Sequence, residues 1–534
     1  IYISNKERAI LTNANKAAKS VFILAVFALI SKILGFFREI LIASEFGAGI
    51  ESDAFFIAQT ATTLISAIFI GSIKTTMIPI LSAIETKEGK KAKILHTNNF
   101  LNILILITIL FILLIFVITP YFIKILAVGF EGQQLELAVL LTRLGLPIIF
   151  LACLLNIFRG YLQSEMRFAE EGISALPFNF VFIFYLIFLS NIFGIKGLMI
   201  ANVVAILSQI LIQIPNLKKT GFKYNVYINF ADPYVKKLML LLPPVLISVG
   251  ISDLNRIIDR SLASTLLEGS ISALNYGSRL TNLIQGIFIA TLSTVIFPML
   301  SNEINSGNME NFKKMLRYGF NTIVLITIPA TVGMIVLAEP IVRIAFQRGV
   351  FDAKATYLTT GALVFYSIGL IGVSLKFLLN RAYYSMQDTK TPMINSVIAV
   401  IINIVLNFIL IRYMAHNGLA LATSISAIVS CGLLIYHLKQ KIGALGIKSY
   451  INCGVKAFIS SLIMGATAYF MYYYLNKVIG NSYIGSLAVL IISAGTGALL
   501  YFILIYIMKI EEFQWFVELV KKKVFRCVGN NNLG

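Results

Sequence analysis

Runs of roughly 20 mostly apolar residues recur along the whole chain, each long enough to cross a hydrocarbon layer about 30 Å thick, and about fourteen can be counted. The linkers between them alternate in character. EFGAGIESD, AVGFEGQQLE, LLEGS, MAHNG and NKVIGNSY carry few basic residues, whereas ETKEGKKAKILH, NLKKTGFKYN, YVKK, NFKKMLR, HLKQKIG and the tail VKKKVFR are rich in them. Basic linkers stay on the cytoplasmic side of a membrane, so this alternation puts both termini in the cytoplasm. Continuous apolar runs of this length need every backbone polar group satisfied within the segment, which predicts an all-α polytopic membrane protein. The first run begins near Ser20 and continues through Lys32 and Arg38 with no small-residue cleavage site, so it reads as a retained helix and not as a signal peptide.

The runs also repeat. TTMIPILS (75–82) matches STVIFPMLS ending at Ser301, and IASEFGAGIESDAFFIAQ resembles LASTLLEGSISALNYGSR, which puts Gln59 where Arg279 stands. Two further matches start at Gly145 and Gly369, and at Gly197 and Gly418, all at an offset of roughly 220 residues. Six helices per copy is an even number, so the copies share one orientation, and two parallel lobes suit alternating access. The expected layout is a first lobe over 18–220, a second pseudo-symmetric six-helix lobe over 232–441, an extra helix pair over 450–510 and a basic cytoplasmic tail over 511–534.

Composition changes the picture little. Of 534 residues, 58% are hydrophobic and 13% charged, a balance beyond the needs of a soluble core. The formal charge of +20 follows from the basic linkers, so no nucleic-acid partner is expected. Cys153, Cys431, Cys453 and Cys527 stand far apart and imply neither disulfide nor metal cluster. The histidines are isolated, and there is no nucleotide-binding glycine loop, so the chain is expected not to be an enzyme and to need no organic cofactor.

The informative residues are charges inside apolar runs. Ser252–Ser301 carries Asp253, Arg256, Asp259, Arg260 and Arg279, and ions at bilayer depth need counter-ions or a water-filled cavity. Asp253, Arg256 and Arg260 fall at i, i+3 and i+7, a stripe expected to be the working surface. The first helix adds Lys32, Arg38 and Glu39, and Asp53 opens the second. Lys32 and Arg38 either snorkel to the interface or line a cavity, and their depth of more than a turn favours the cavity. Arg256 either joins such a cationic cavity or pairs with Asp253 or Asp259. Arg38 and Arg279 read as guanidinium groups without a neighbouring acid, suited to an anionic ligand that a planar fork grips in bidentate fashion. Oxygen donors suggest a second site. Asp259, Asn403 and Asn407 at i, i+4, Thr423 and the Leu419 carbonyl suit a hard cation, although Asn and Thr in membrane helices also serve as interhelical glue.

On SKILGFFREILIASEFGAGIESDAFF, DRSLASTLLEGSISALNYGSRL with its following FPMLS, IAFQRGVFDAKAT and NRAYYSMQDTKTP, the chain resembles the lipid II flippase family, MurJ (MviN), of the MOP exporter superfamily, over nearly its whole length. The resemblance implies fourteen helices in two lobes with a final pair forming a groove for the lipid tail. It implies export of the undecaprenyl-pyrophosphate-linked peptidoglycan precursor across the bacterial cytoplasmic membrane by a monomer among membrane lipids. Family arginines of the first and eighth helices fall on Lys32, Arg38 and Arg279, and a family acid on Asp53. The sodium ligands of some members fall on Asp259, Asn403, Asn407, Leu419 and Thr423. The chain departs from the pattern in its second helix, where Ser66 in LISAIFIGSIKTT occupies the place of a family arginine. The alternative substrate is therefore another polyprenyl-pyrophosphate-linked glycan, of the O-antigen or capsule kind.

Overall fold

The computed structural model describes residue 27 and residues 29–514 apart from 166, 168 and 481. Side chains are described for these except 68–69, 71–76, 169–172, 241–252 and 288–295. The expected start of the first lobe (18–26) and the tail from 515 onward lie outside the described residues.

Every regular element among the described residues is helical, as backbone groups in hydrocarbon require. In chain order they are α1 (29–46), α2 (Ile50–Leu126), α3 (Gly132–Gly145), α4 (Pro147–Ser164), α5 (Ala169–Phe188), α6 (Ser190–Lys219), α7 (Pro233–Ser264) and α8 (Ser270–Ile284). A π-turn at Gln285–Ile289 leads into α9 (Ala290–Asn305). There follow α10 (Met309–Val336), α11 (Ala338–Phe346), α12 (Ala353–Ile368), α13 (Leu370–Ser385), α14 (Lys390–Ile442), α15 (Ile447–Ile479) and α16 (Tyr483–Ile507). Three of these are broken. Gly89 divides α2 with φ 85°, a left-handed value open to glycine, Gly194 divides α6, and Ala415 divides α14.

Among the described residues seven helical stretches are long and apolar enough to cross a bilayer, and α12 with α13, bent by 43°, makes an eighth if the two form one span. The chain is therefore a multi-pass membrane protein. It divides into two compact units, a first that runs to Ser272 and includes Arg348–Phe351, and a second of Ala273–Gln347 with the residues from Asp352 on. The first unit has its largest core where α2, α4, α6 and α7 converge, around Phe100, Cys153, Ile157, Tyr161, Leu217 and Leu238. That of the second joins α9, α10, α13, α14, α15 and α16 through Leu316, Ile323, Leu378, Leu434, Ala457 and Ile505.

Candidate functional site

Arg38 projects from α1 onto α5, where Phe178, Asn179 and Phe182 share one face at i, i+1 and i+4. Its guanidinium lies 5.0 Å from the Phe182 ring centroid and 5.4 Å from that of Phe178, and it donates to Asn179 Oδ1 at 3.3 Å. Asn179 in turn donates to the Ser31 carbonyl at 3.2 Å, which fastens α5 to α1. The expectation that Arg38 has no neighbouring acid is corrected: its Nη2 pairs with Glu39 Oε1 at 2.7 Å, the two side chains being 13% and 5% exposed. Adjacent residues on a helix diverge, but two long side chains bend together when burial leaves each charge in need of the other. Arg38 Nε is buried with no hydrogen-bond acceptor among the described residues. Lys32 is half-buried on the same helix.

Asp53, 2% exposed in the first turn of α2, serves a different purpose from an open binding group. One carboxylate oxygen accepts the Gly269 N–H at 2.8 Å; the other accepts the Ser272 N–H at 2.8 Å and the Ser272 hydroxyl. The Ser272 hydroxyl also donates to Ser52 Oγ at 2.9 Å. These amides are the orphan donors at the start of α8, a helix with no acid in its own first turn, so Asp53 supplies its cap from 216 residues away. Gly269 makes the approach possible. Its φ is +89°, and a Cβ there would sit 2.4 Å from the Ala48 carbonyl.

The stripe on α7 is largely consumed internally. Arg256 Nη1 meets Asp253 Oδ1 at 3.1 Å, and its side chain remains 52% exposed. Asn255 donates to Asp259 Oδ2 at 3.3 Å, and Arg260 to the Ile271 carbonyl at 3.3 Å. Ser66 is buried, donates to the Thr62 carbonyl at 2.7 Å, and borders an apolar pocket of about 380 Å³ with Ile148, Ala152 and Ile206.

In the second unit Arg279 is half-buried on α8. The two arms of α14 bring four of the cation candidates together. Asn407 Nδ2 donates to Asn403 Oδ1 at 2.9 Å, Asn403 Nδ2 to Thr423 Oγ1 at 3.4 Å, and Thr423 to the Leu419 carbonyl at 3.0 Å. Asn403, Asn407 and Leu419 are at most 1% exposed. A buried cluster of amide, hydroxyl and carbonyl oxygens fits a hard cation as a donor set. Asp259, the fifth candidate, belongs to the first unit. No group of three His, Cys, Asp or Glu side chains is placed to hold a metal among the described residues.

Sequence reasoning missed Asn179 and its aromatic neighbours, although an asparagine inside PFNFVF is itself a signal. It also missed a polar network at one end of the first unit. There Lys93, wholly buried, joins Glu85 at 2.7 Å and Glu165 at 2.6 Å, and lies 5.1 Å from the centroid of the Tyr161 ring.

A multi-pass helical chain with charged groups held inside its spans and aimed by aromatic and amide neighbours is of the class of membrane transporters. Comparison with known proteins bears this out. The family model described as lipid II flippase MurJ matches residues 42–493. A probable lipid II flippase MurJ of Rickettsia prowazekii is 30% identical over 93% of this chain and 98% of its own length. One of Vibrio cholerae is 31% identical over 81% and 86%. A solved structure of lipid II flippase MurJ in an inward closed conformation superposes with a TM-score of 0.76 at 26% identity, covering 91% of this chain and 98% of that one. An inward-facing multidrug resistance MATE transporter of the MOP superfamily, 14% identical over 79% of this chain and 98% of its own, shares the fold at a TM-score of 0.63. The chain belongs to the lipid II flippase MurJ family.

Proposed function

We propose that this chain moves lipid II, the undecaprenyl-pyrophosphate-linked peptidoglycan precursor, from the inner to the outer leaflet of the bacterial cytoplasmic membrane by alternating access. The observation that carries the reading is the family match over residues 42–493, which runs through both units. In this reading Lys32, Arg38 and Arg279 take the pyrophosphate. Arg38 is held for that task by Asn179 and two rings, with Glu39 fixing one side of the fork. Asp53 is a positioning residue that keeps the start of α8 in place. Both termini lie in the cytoplasm, the chain acts as a monomer, and it carries out no bond-making chemistry.

Outward movement of each net negative charge gains about 2.3 kcal/mol per 100 mV of a membrane potential negative inside, so the potential contributes to export. Asn403, Asn407, Thr423 and the Leu419 carbonyl, with Asp259, are the residues that would hold a sodium ion. A bound sodium would supply a compensating positive charge. Asn407 donates to Asn403, Asn403 to Thr423 and Thr423 to the Leu419 carbonyl, so the donors of the cluster are linked to one another.

The test is growth of a bacterium depleted of its own lipid II flippase. The wild-type chain should restore growth, and Arg38→Ala and Arg279→Ala, at normal abundance in the membrane, should not. Ser66 favours one second reading, a flippase for another polyprenyl-pyrophosphate-linked glycan. Failure to restore growth combined with rescue of a polysaccharide-export mutant would select it.

A further inference from the structure

Between α6 and α7 the chain runs from Gly221 to Asn229 without helix or ladder of its own, yet its backbone is not left to solvent. Three asparagines on α2 hold it. Asn98 Nδ2 donates to the Lys223 carbonyl at 2.9 Å, Asn102 Nδ2 to those of Asn225 and Tyr227 at 3.1 Å each, and Asn99 Nδ2 to that of Asn229 at 3.0 Å. Asn99 Oδ1 accepts the Asn229 N–H at 2.7 Å, and Asn102 Oδ1 accepts the Tyr224 hydroxyl at 2.8 Å. All three asparagines are buried. One end of the segment is pinned by Phe222 edge-on to Tyr161, the other by Asp232, which accepts from Asn99 and meets His96 Nδ1 at 2.6 Å.

The alternate positions carry the complementary pattern. Tyr224, Val226, Ile228 and Phe230 are 59%, 72%, 48% and 54% exposed, a period-two apolar edge. Lys218, Lys219, Lys223, Lys236 and Lys237, all exposed, flank it. In a loop bathed in water the carbonyls would be hydrated without help, and four exposed apolar side chains in alternation would be unfavourable. At a lipid interface both signs reverse, because backbone groups there need internal partners and apolar side chains find solvent. The asparagines also stand where α2 changes character: ILILITILFILLIFV, a lipid-grade run, begins at Ile103.

We infer that residues 222–230 form an extended interfacial segment, which lays Val226, Ile228 and Phe230 into the leaflet at that end of the spans, with Tyr224 held by its hydroxyl on Asn102, while the flanking lysines engage anionic headgroups. Its partner is an anionic bilayer surface, and by the orientation proposed above the leaflet is the cytoplasmic one. The segment leading into α7 is thereby tethered to lipid on one edge and to α2 on the other.

The test uses the full chain in nanodiscs of phosphatidylglycerol and phosphatidylcholine. Trp515→Phe removes the one native tryptophan, and Val226→Trp places a reporter on a side chain with room to change. The expected result is blue-shifted emission, quenched by lipids brominated high on the acyl chain and little affected by iodide, with the shift diminishing when phosphatidylglycerol is left out. Emission typical of tryptophan in water, quenched by iodide and indifferent to brominated lipid, overturns the inference and leaves the segment's free edge to a protein partner. The unsubstituted chain gives an independent measurement. A photoactivatable phospholipid should label the peptide containing 224–230, and labelling of the α2 span without it would equally overturn the proposal.

Discussion

Asp53 in the first unit and Asp388 in the second both accept hydrogen bonds at the start of a helix, and the contrast between them separates two ways of using one carboxylate. Asp388 caps its own helix. It accepts the Thr391 N–H at 3.0 Å and the Thr391 hydroxyl at 2.8 Å, and pairs with Lys441 at 2.6 Å across α14. Asp53 has no cation within salt-bridge distance among the described residues and serves a helix that begins far along the chain, at Ser270. Desolvation works against ionisation at Asp388, but the Lys441 ammonium and the Thr391 donors outweigh it and hold the carboxyl at about 2. A cap within a helix's own first turn can be lost at modest cost, whereas a buried carboxylate that satisfies two orphan amides of a distant helix cannot.

The sharpest way to break the contrast is Asp53→Ala, which leaves the buried Gly269 and Ser272 N–H groups without their acceptor and should cost about 3 kcal/mol. Single-cysteine variants make the effect local: a thiol-reactive dye reads the melting of the first unit through buried Cys153 and of the second through Cys431. The dye should reach Cys153 at a clearly lower temperature in Asp53→Ala, with a smaller change at Cys431. Gly269→Ala comes next. A methyl group 2.4 Å from the Ala48 carbonyl, on a backbone at φ +89°, should destabilise the first unit by about 2 kcal/mol even with the carboxylate intact. An unchanged Cys153 transition would mean that α8 can shift freely and that Asp53 follows it.

Asp388→Ala should cost about 1 kcal/mol, the usual worth of an N-cap, and should register at Cys431 and not at Cys153. The effect carries a definite pH signature. A carboxyl depressed to about 2 contributes stability above the ordinary carboxylate value of 3.8 and loses it as pH falls through about 2. The difference between wild type and Asp388→Asn should therefore be constant from pH 7 to pH 5 and shrink toward pH 2. Lys441→Ala, removing a lysine that is 43% exposed, should change stability by no more than about 0.5 kcal/mol and less in high salt. A larger loss would make the Asp388 cluster as much a fixed joint as the Asp53 one.

Sequence alone determined the all-helical membrane class, because a lipid-facing helix must be apolar along its own length and that information is local. It also marked Arg38, Glu39, Asp53 and Arg279 as charges too costly to be passive, since the penalty for an ion at bilayer depth does not depend on which neighbour offsets it. Only the tertiary structure decided the partners. Arg38 is served by Glu39 beside it and Asn179 141 residues on, Asp53 by amides 216 and 219 residues on, and Asn98, Asn99 and Asn102 by carbonyls about 125 residues on. Each of those side chains could have satisfied itself in many ways, and which partner it met was fixed by how whole helices pack, a property that no window of adjacent residues contains.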